Sequence, residues 1–379
     1  MKGRIEDIEL LRAIAVLSVI AHHAHGNLIN WPIPWLDTLF NRLELWWGVD
    51  LFFAISGFVI ARDLLPRLQA CSDTAQRLRT TLAFWLRRAF RLLPSAWLWL
   101  GLILLACISL GQPNAFGSLH ANLMATLAGV LQFANFRFAD AFFHYEYGAS
   151  FVYWSLSLEE QFYLLLPLLA LLTRRWLPWV LGLLIVVQFF TWRVPLLMVL
   201  RTDAIAWGVL LALFSHTALY HRLEPKLLRH RWLACVLLAA IALLMMRVAT
   251  NDFVMAFWRI GVLALCSAVL VWLASYDRNY LPVTGQLRKI LLWVGSRSYA
   301  MYLIHIPAFF LTRELWARLH EGAPHALPLL LTASVIIVVT SELNFRWVED
   351  PLRRRGNALA ARLARRPVRE NQEPGHGLA

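Results

Sequence analysis

"LLRAIAVLSVIAHHAHGN", residues 10–27, is the stretch that decides how the rest of the chain is read. It is an apolar run of membrane length with Arg12 near one end and His22, His23 and His25 near the other. An arginine or lysine at the centre of a bilayer costs about 2.5–3.5 kcal/mol on insertion scales, so ionisable groups in such a segment face a bundle interior or a polar cavity. The residues before it include Glu6, Asp7 and Glu9, and no small-residue cleavage site follows. The segment therefore reads as a retained helix and not as a signal peptide.

Comparable runs recur along the chain, at about 8–27, 45–62, 92–110, 119–136, 153–173, 176–192, 195–217, 231–248, 254–275, 290–313 and 326–347. Of 379 residues, 59% are hydrophobic and 16% charged, which points to an all-α polytopic membrane protein, since soluble domains do not repeat apolar stretches near 20 residues. The formal net charge of +13 would suit nucleic acid, but the basic residues fall between and after the apolar segments. That is the positive-inside pattern, and no nucleic-acid partner is expected. Three of the four cysteines, Cys107, Cys235 and Cys266, sit inside apolar segments, and Cys71 lies in a basic loop. Neither a disulfide framework nor a zinc site is indicated.

One segment is weak: 119–136 is diluted by His120, Asn122, Gln132 and Asn135. If it does not cross and the N-terminus is cytoplasmic, the basic loops near 62–91, 174–175, 218–231 and 276–289 and the tail after Asp350 all face the cytoplasm. If it does cross, "RR" at 174–175, "HRLEPKLLRHR" and the tail lie outside. The expectation is therefore ten transmembrane helices with both termini cytoplasmic, and 119–136 as a re-entrant or interfacial helix on the outer side. Residues 1–355 form the transmembrane domain and 356–379 a basic cytoplasmic tail. No repeat of 20–50 residues and no inverted repeat is apparent.

The polar residues inside these segments carry the functional signal. Arg12 and His23 are eleven residues apart, which returns to nearly the same helix face and separates them by about 16 Å along the axis. His22 and His25 point elsewhere. The competing reading has Arg12 snorkelling to one interface and the histidines lining the other. In "WWGVDLFFAISGFVI", Asp50 lies about one turn inside the second span, at roughly the depth of His23. An aspartate–imidazole hydrogen bond there would orient the ring, although a carboxylate at a helix N-terminus is also favoured by the dipole. "YWSLSLEEQFYLLLPLL" places Glu159 and Glu160 inside a third span near the same level, about 100° apart on the helix. On the opposite side, "FWLRRAFRLLPSAW" sets Arg88 and Arg91 three residues apart, either as an anchor to anionic phospholipid or as a clamp for phosphate oxygens. Arg201 and Asp203 in "LRTDAIAWGVLL", Arg259 in "FWRIGV", and Tyr302 and His305 in "GSRSYAMYLIHIP" suggest a polar cavity lining. A metal site on "HHAH" is not expected, because His22 and His25 have no third ligand nearby.

Taken in order and spacing, "ELLRAIAVLSVIAHHAH", "GVDLFFAISGFVI", "RRAFRLLPSAW", "WSLSLEEQFYLLLP", "RTDAIAWGVLLA", "SRSYAMYLIHIP" and "VEDPLRR" resemble the acyltransferase-3 family of bacterial integral-membrane O-acyltransferases, to about residue 355. The resemblance implies a multi-pass protein of the bacterial cytoplasmic membrane. It also implies transfer of an acyl group, commonly acetyl, from cytoplasmic acyl-CoA to a hydroxyl of a sugar or cell-envelope glycan. The family's Arg-x10-His pair falls on Arg12 and His23, its Arg-x-x-Arg element on Arg88 and Arg91, and its acid on Glu159 beside Glu160. Many members carry a fused SGNH-type domain; this chain ends in a short basic tail, so a stand-alone membrane domain is expected.

Together these readings predict that Arg12, Arg88 and Arg91 bind the acyl-CoA donor and that His23 serves as general base or as the acyl-accepting nucleophile, oriented by Asp50 or Glu159. No oxyanion donor is identified. The rival class is a transporter or flippase of a polar or lipid-linked substrate, since buried His, Asp, Glu and Arg on several helices also describe proton-coupled carriers. Acceptor identity, acyl chain and oligomeric state are not legible.

Overall fold

A computed structural model of the chain describes residues 5–111, 114–253, 256–319 and 325–365. Among these, sixteen α-helices follow one another with no strand: α1 (Glu6–Asn27), α2 (Pro34–Arg42), α3 (Gly48–Gln69), α4 (Thr74–Ser109), α5 (Leu119–Val130), α6 (Ala134–Ala141), α7 (Tyr153–Thr173), α8 (Leu177–Phe189), α9 (Pro195–Val199), α10 (Asp203–Phe214), α11 (Ala218–Arg222), α12 (Arg231–Val248), α13 (Arg259–Ser275), α14 (Gly285–Leu319), α15 (Ala326–Asn344) and α16 (Asp350–Arg365). Six helices or continuous helix pairs are long and apolar enough to cross a bilayer, the build of a polytopic membrane protein. The six are fewer than the ten expected because charge and length remove some central helices: α3 carries Asp50, Arg62 and Asp63, and α13 has only 17 residues. In addition, α7 and α8 run on as a single apolar stretch from Tyr153 to Phe189.

The apolar faces separate an inner from an outer ring. Half of the apolar window of α1 is buried against the rest of the chain, compared with 17% of that of α12. Outward-facing Val236, Leu243 and Leu244 on α12, and Leu183, Val186 and Val187 on α8, give these helices the all-round apolar surface of lipid-facing spans. At the centre, α3 and α10 meet through small residues. A Cβ on Gly57 would collide with the carbonyl oxygen of Ile205, and one on Gly208 with that of Ala54, so only glycine lets the two backbones approach this closely.

Two elements show why polar residues sit where they do. α4 starts at a reciprocal cap, in which the Asp73 carboxylate accepts from the Gln76 N–H at 2.7 Å and the Gln76 side chain accepts from the Ser72 N–H at 2.8 Å. Its 36 residues span about 54 Å, so it outruns a hydrocarbon core of about 30 Å. α16 packs along the protruding part, with Gly356 against Phe90, and continues without a break through residue 356 to Arg365; the rest of the expected tail lies outside the described residues. The weak segment becomes a helical hairpin. α5 has 12 residues, about 18 Å, too short to cross, and the chain turns at Gln132, which has φ +59°, into α6. Its polar residues are internal ties: Asn122 accepts from the Ala149 N–H at 2.9 Å, and Asn135 exchanges amide hydrogen bonds with Gln161 of α7 at 3.0 and 2.9 Å.

Candidate active site

A cavity of about 80 Å3 is lined by α1, α3, α4, α7 and α14. At one end stand Arg12, Arg88 and Arg91; along its wall lie Ser56, Glu159 and Tyr163; Ser155 and Tyr302 lie on its α7 and α14 walls. Arg12, Val59, Arg91, Ser298 and Tyr299 also line a wider vestibule of about 760 Å3, which carries Arg62, Arg67 and Arg353 as well. The two spaces therefore adjoin at the arginine end.

Arg12 pairs with Glu9 one turn earlier, at 3.0 Å. Arg88 lies against the rings of Phe84 and Tyr163, 5.7 and 5.8 Å from their centroids. Neither Arg88 nor Arg91 forms an ion pair or a side-chain hydrogen bond among the described residues, so their guanidinium groups can meet an acceptor within the cavity they line. Tyr163 donates its single hydroxyl proton to Glu159 Oε2 at 2.9 Å. Ser56, 2.6 Å from the same phenol oxygen, must then be the donor to it. Glu160 makes no hydrogen bond or ion pair among the described residues. The Ser155 and Tyr302 hydroxyls are 2.6 Å apart.

The three histidines of α1 take three different partners. His22 Nδ1 is 2.9 Å from Glu44, and His25 Nε2 is 2.8 Å from Asp37, where Gly26, at φ +90°, breaks the helix. His23 turns inward: its Nδ1 lies 2.9 Å from Nε2 of His305, which is fully buried on α14. The next bond fixes the protons. His305 Nδ1 is 2.7 Å from the Tyr302 carbonyl oxygen, which only accepts, so His305 carries its proton on Nδ1 and presents a bare Nε2. His23 must then donate from Nδ1, and its Nε2 lone pair has no partner among the described residues.

The partners expected for His23 are therefore corrected. Asp50 pairs with Arg201, whose Nε is 3.3 Å away, and Glu159 bonds to Tyr163; neither hydrogen-bonds to His23. In an apolar interior a carboxylate gains more from a guanidinium than from a neutral imidazole. Nor do Arg201 and Asp203 line this cavity. Asp203 bonds to Arg193 at 2.8 Å, and Arg201 lies against Trp46 and Trp154 at 5.1 Å from each ring, making a closed cluster. Tyr302 does line the cavity, and His305 lies behind it as the partner of His23. Sequence spacing missed Ser56 and Tyr163; the i,i+4 relation of Tyr163 to Glu159 is the signal that finds the second.

Compared with known families, the chain matches an acyltransferase domain over residues 5–342. The chain belongs to the acyltransferase-3 family. Within that family it is 27% identical to the peptidoglycan O-acetyltransferase OatA of Listeria monocytogenes, over 93% of this chain and 56% of that protein. It is 26% identical to the putative peptidoglycan O-acetyltransferase YrhL of Bacillus subtilis, over 93% and 55% respectively. A putative O-acetyltransferase of Staphylococcus aureus strain COL is 26% identical over 93% and 58%. The chain thus spans a little over half the length of the curated relatives it matches. No solved structure matches it.

Proposed function

We propose that this protein is an O-acetyltransferase of the bacterial cytoplasmic membrane that moves an acetyl group from cytoplasmic acetyl-CoA to a hydroxyl of a cell-envelope glycan, peptidoglycan being the class its relatives' names point to. In this reading ten helices cross the membrane, both termini are cytoplasmic, the vestibule opens inward and the α5–α6 hairpin sits on the outer side. The carrying observation is the polarity of the site: guanidinium groups with no ion pair among the described residues at one end of the cavity, and the His23–His305 pair, which lies outside the cavity lining behind Tyr302, about 16 Å further along α1. That span is comparable with an extended pantetheine arm. Arg88 and Arg91, with Arg12 beside them, hold the CoA phosphates while the thioester reaches His23.

The residues then divide the chemistry. His23 Nε2 takes the proton of the acceptor hydroxyl as its oxygen attacks the thioester carbonyl, and His305 holds the ring in the tautomer that makes this possible. The developing oxyanion is met by the Ser155–Tyr302 hydroxyl pair, one member of which turns its proton to it from the Val152 carbonyl, 3.2 Å away. The C–S bond breaks, the imidazolium returns the proton to the departing thiolate, and an acetyl ester and CoA result. Glu159, through Tyr163 and Ser56, orders the cavity wall between the two ends, and Glu160 adds negative charge beside it.

Incubating the purified protein with radiolabelled acetyl-CoA and peptidoglycan fragments tests this directly. Label appearing as a base-labile ester on the glycan, with equimolar CoA release, is expected. A transporter or flippase would leave the thioester intact, and that outcome contradicts the proposal.

A further inference from the structure

A second groove lies away from the cavity and shares no lining residue with it or with its vestibule. It forms where the end of α3, the first turn of α4, the α7–α8 corner and the end of α10 come together. Its volume is about 460 Å3. Leu65, Leu68, Leu171, Leu177 and Leu213 provide apolar walls, and Arg77, Arg174 and Arg175 stand around them.

Three observations bear on its occupant. First, no Asp or Glu lines the groove, and none of its three arginines forms an ion pair among the described residues. Arginines elsewhere are neutralised: Arg67 at the end of α3 and Arg87 within α4 by Asp63, and Arg229 and Arg278 by Glu224. Second, Arg174 sits at φ +47°, a backbone region that bulky side chains rarely adopt, at the corner that carries two of the three guanidinium groups. Third, the groove opens at the lipid-facing rim. Leu172, Trp176 and Trp179 beside it are 83%, 58% and 73% exposed, and tryptophans at the end of an apolar helix mark the headgroup level of a bilayer.

We propose that this groove is a binding site for an anionic phospholipid, with the phosphate held by Arg77, Arg174 and Arg175 and an acyl chain laid along the leucine wall. The charge fits a phosphodiester, the wall fits hydrocarbon, and the tryptophans place the arginines at headgroup depth. A soluble phosphate compound would use the arginines and leave the leucines without a role. The inference does not depend on the reaction proposed above.

The test uses the full chain purified in detergent, with bound lipid read by native mass spectrometry and with a photoactivatable phosphatidylglycerol. Wild-type protein should retain phosphatidylglycerol at least about tenfold better than phosphatidylcholine, and the photoadducts should map to residues 65–77 and 170–178. The preference should vanish in the R77Q/R174Q/R175Q triple variant and persist in R229Q/R278Q. Millimolar inorganic phosphate or acetyl-CoA should leave the lipid bound. Equal retention of the two lipids by the wild type, adducts concentrated elsewhere, or displacement by either soluble anion overturns the proposal. The wild-type adduct map decides the matter even if the triple variant fails to fold.

Discussion

Two groups of buried charge lie within this bundle and are built to different ends. Asp50, Asp203, Arg193 and Arg201 join α3, α10 and the segment before α9 in two ion pairs, with the Trp46 and Trp154 rings against Arg201. Asp50 and Arg201 are almost completely inaccessible. Arg88, Arg91 and Glu159 instead line open space, and neither arginine forms an ion pair among the described residues. Burial alone does not separate the two groups, since a charge in an apolar bundle needs a partner whether its purpose is architecture or chemistry. What separates them is whether the partner comes from within the chain.

This contrast can be broken most forcefully at Asp50. Asp50→Ala strands the Arg201 guanidinium and should cost about 3–5 kcal/mol, seen as a large drop in melting temperature and in membrane-inserted protein. Removing both partners, Asp50→Leu with Arg201→Leu, should recover much of that loss. An Asp50 variant that keeps its stability and loses only activity would move this residue into the cavity group. Arg88→Ala with Arg91→Ala should do the reverse: acetyl-CoA affinity falls by roughly tenfold or more per arginine, in a calorimetric titration, while melting and acceptor affinity stay close to wild type. Unchanged donor affinity would return the pair to a lipid-anchoring role. Gly57→Ala, which pushes α3 off α10 and disturbs the closed cluster, should lose about 1–3 kcal/mol and affect transfer only through the amount of folded protein. The smallest effect belongs to His25→Ala. Its pair with Asp37 is about one-third exposed and worth at most about 1 kcal/mol, so transfer should remain within a few-fold of wild type.

The sequence carried the helical, multi-pass build because apolar runs of membrane length leave few alternatives, and the Asn and Gln residues of 119–136 marked a segment that does not cross as a plain helix. The family was legible because seven motifs stand in order. The pairing inside the bundle was not. Helix counting put Asp50 close to the depth of His23, but it could not show that the Gly57–Gly208 contact carries α10 against α3, with Arg201 just before that helix reaching Asp50. For the same reason the partner of His23 was sought among acids, and it proved to be an imidazole 282 residues away. Long-range partners are set by packing, which local spacing does not record. By contrast the divergence of His22 and His23 follows from helix angle, with His23 turned to the inside of the bundle, while the break at His25 and Gly26 turns His25 towards Asp37.

The measurement that bears most directly on the account compares His23→Ala and His22→Ala for acetyl-CoA binding and for transfer of radiolabelled acetyl, at matched levels of folded protein. A general base contributes about 10²–10⁴-fold, so His23→Ala should bind the donor as wild type does and lose transfer by that factor, while His22→Ala keeps most of it. Equal loss from the two variants, or retained transfer without His23, would contradict the assignment of His23 Nε2 as the base.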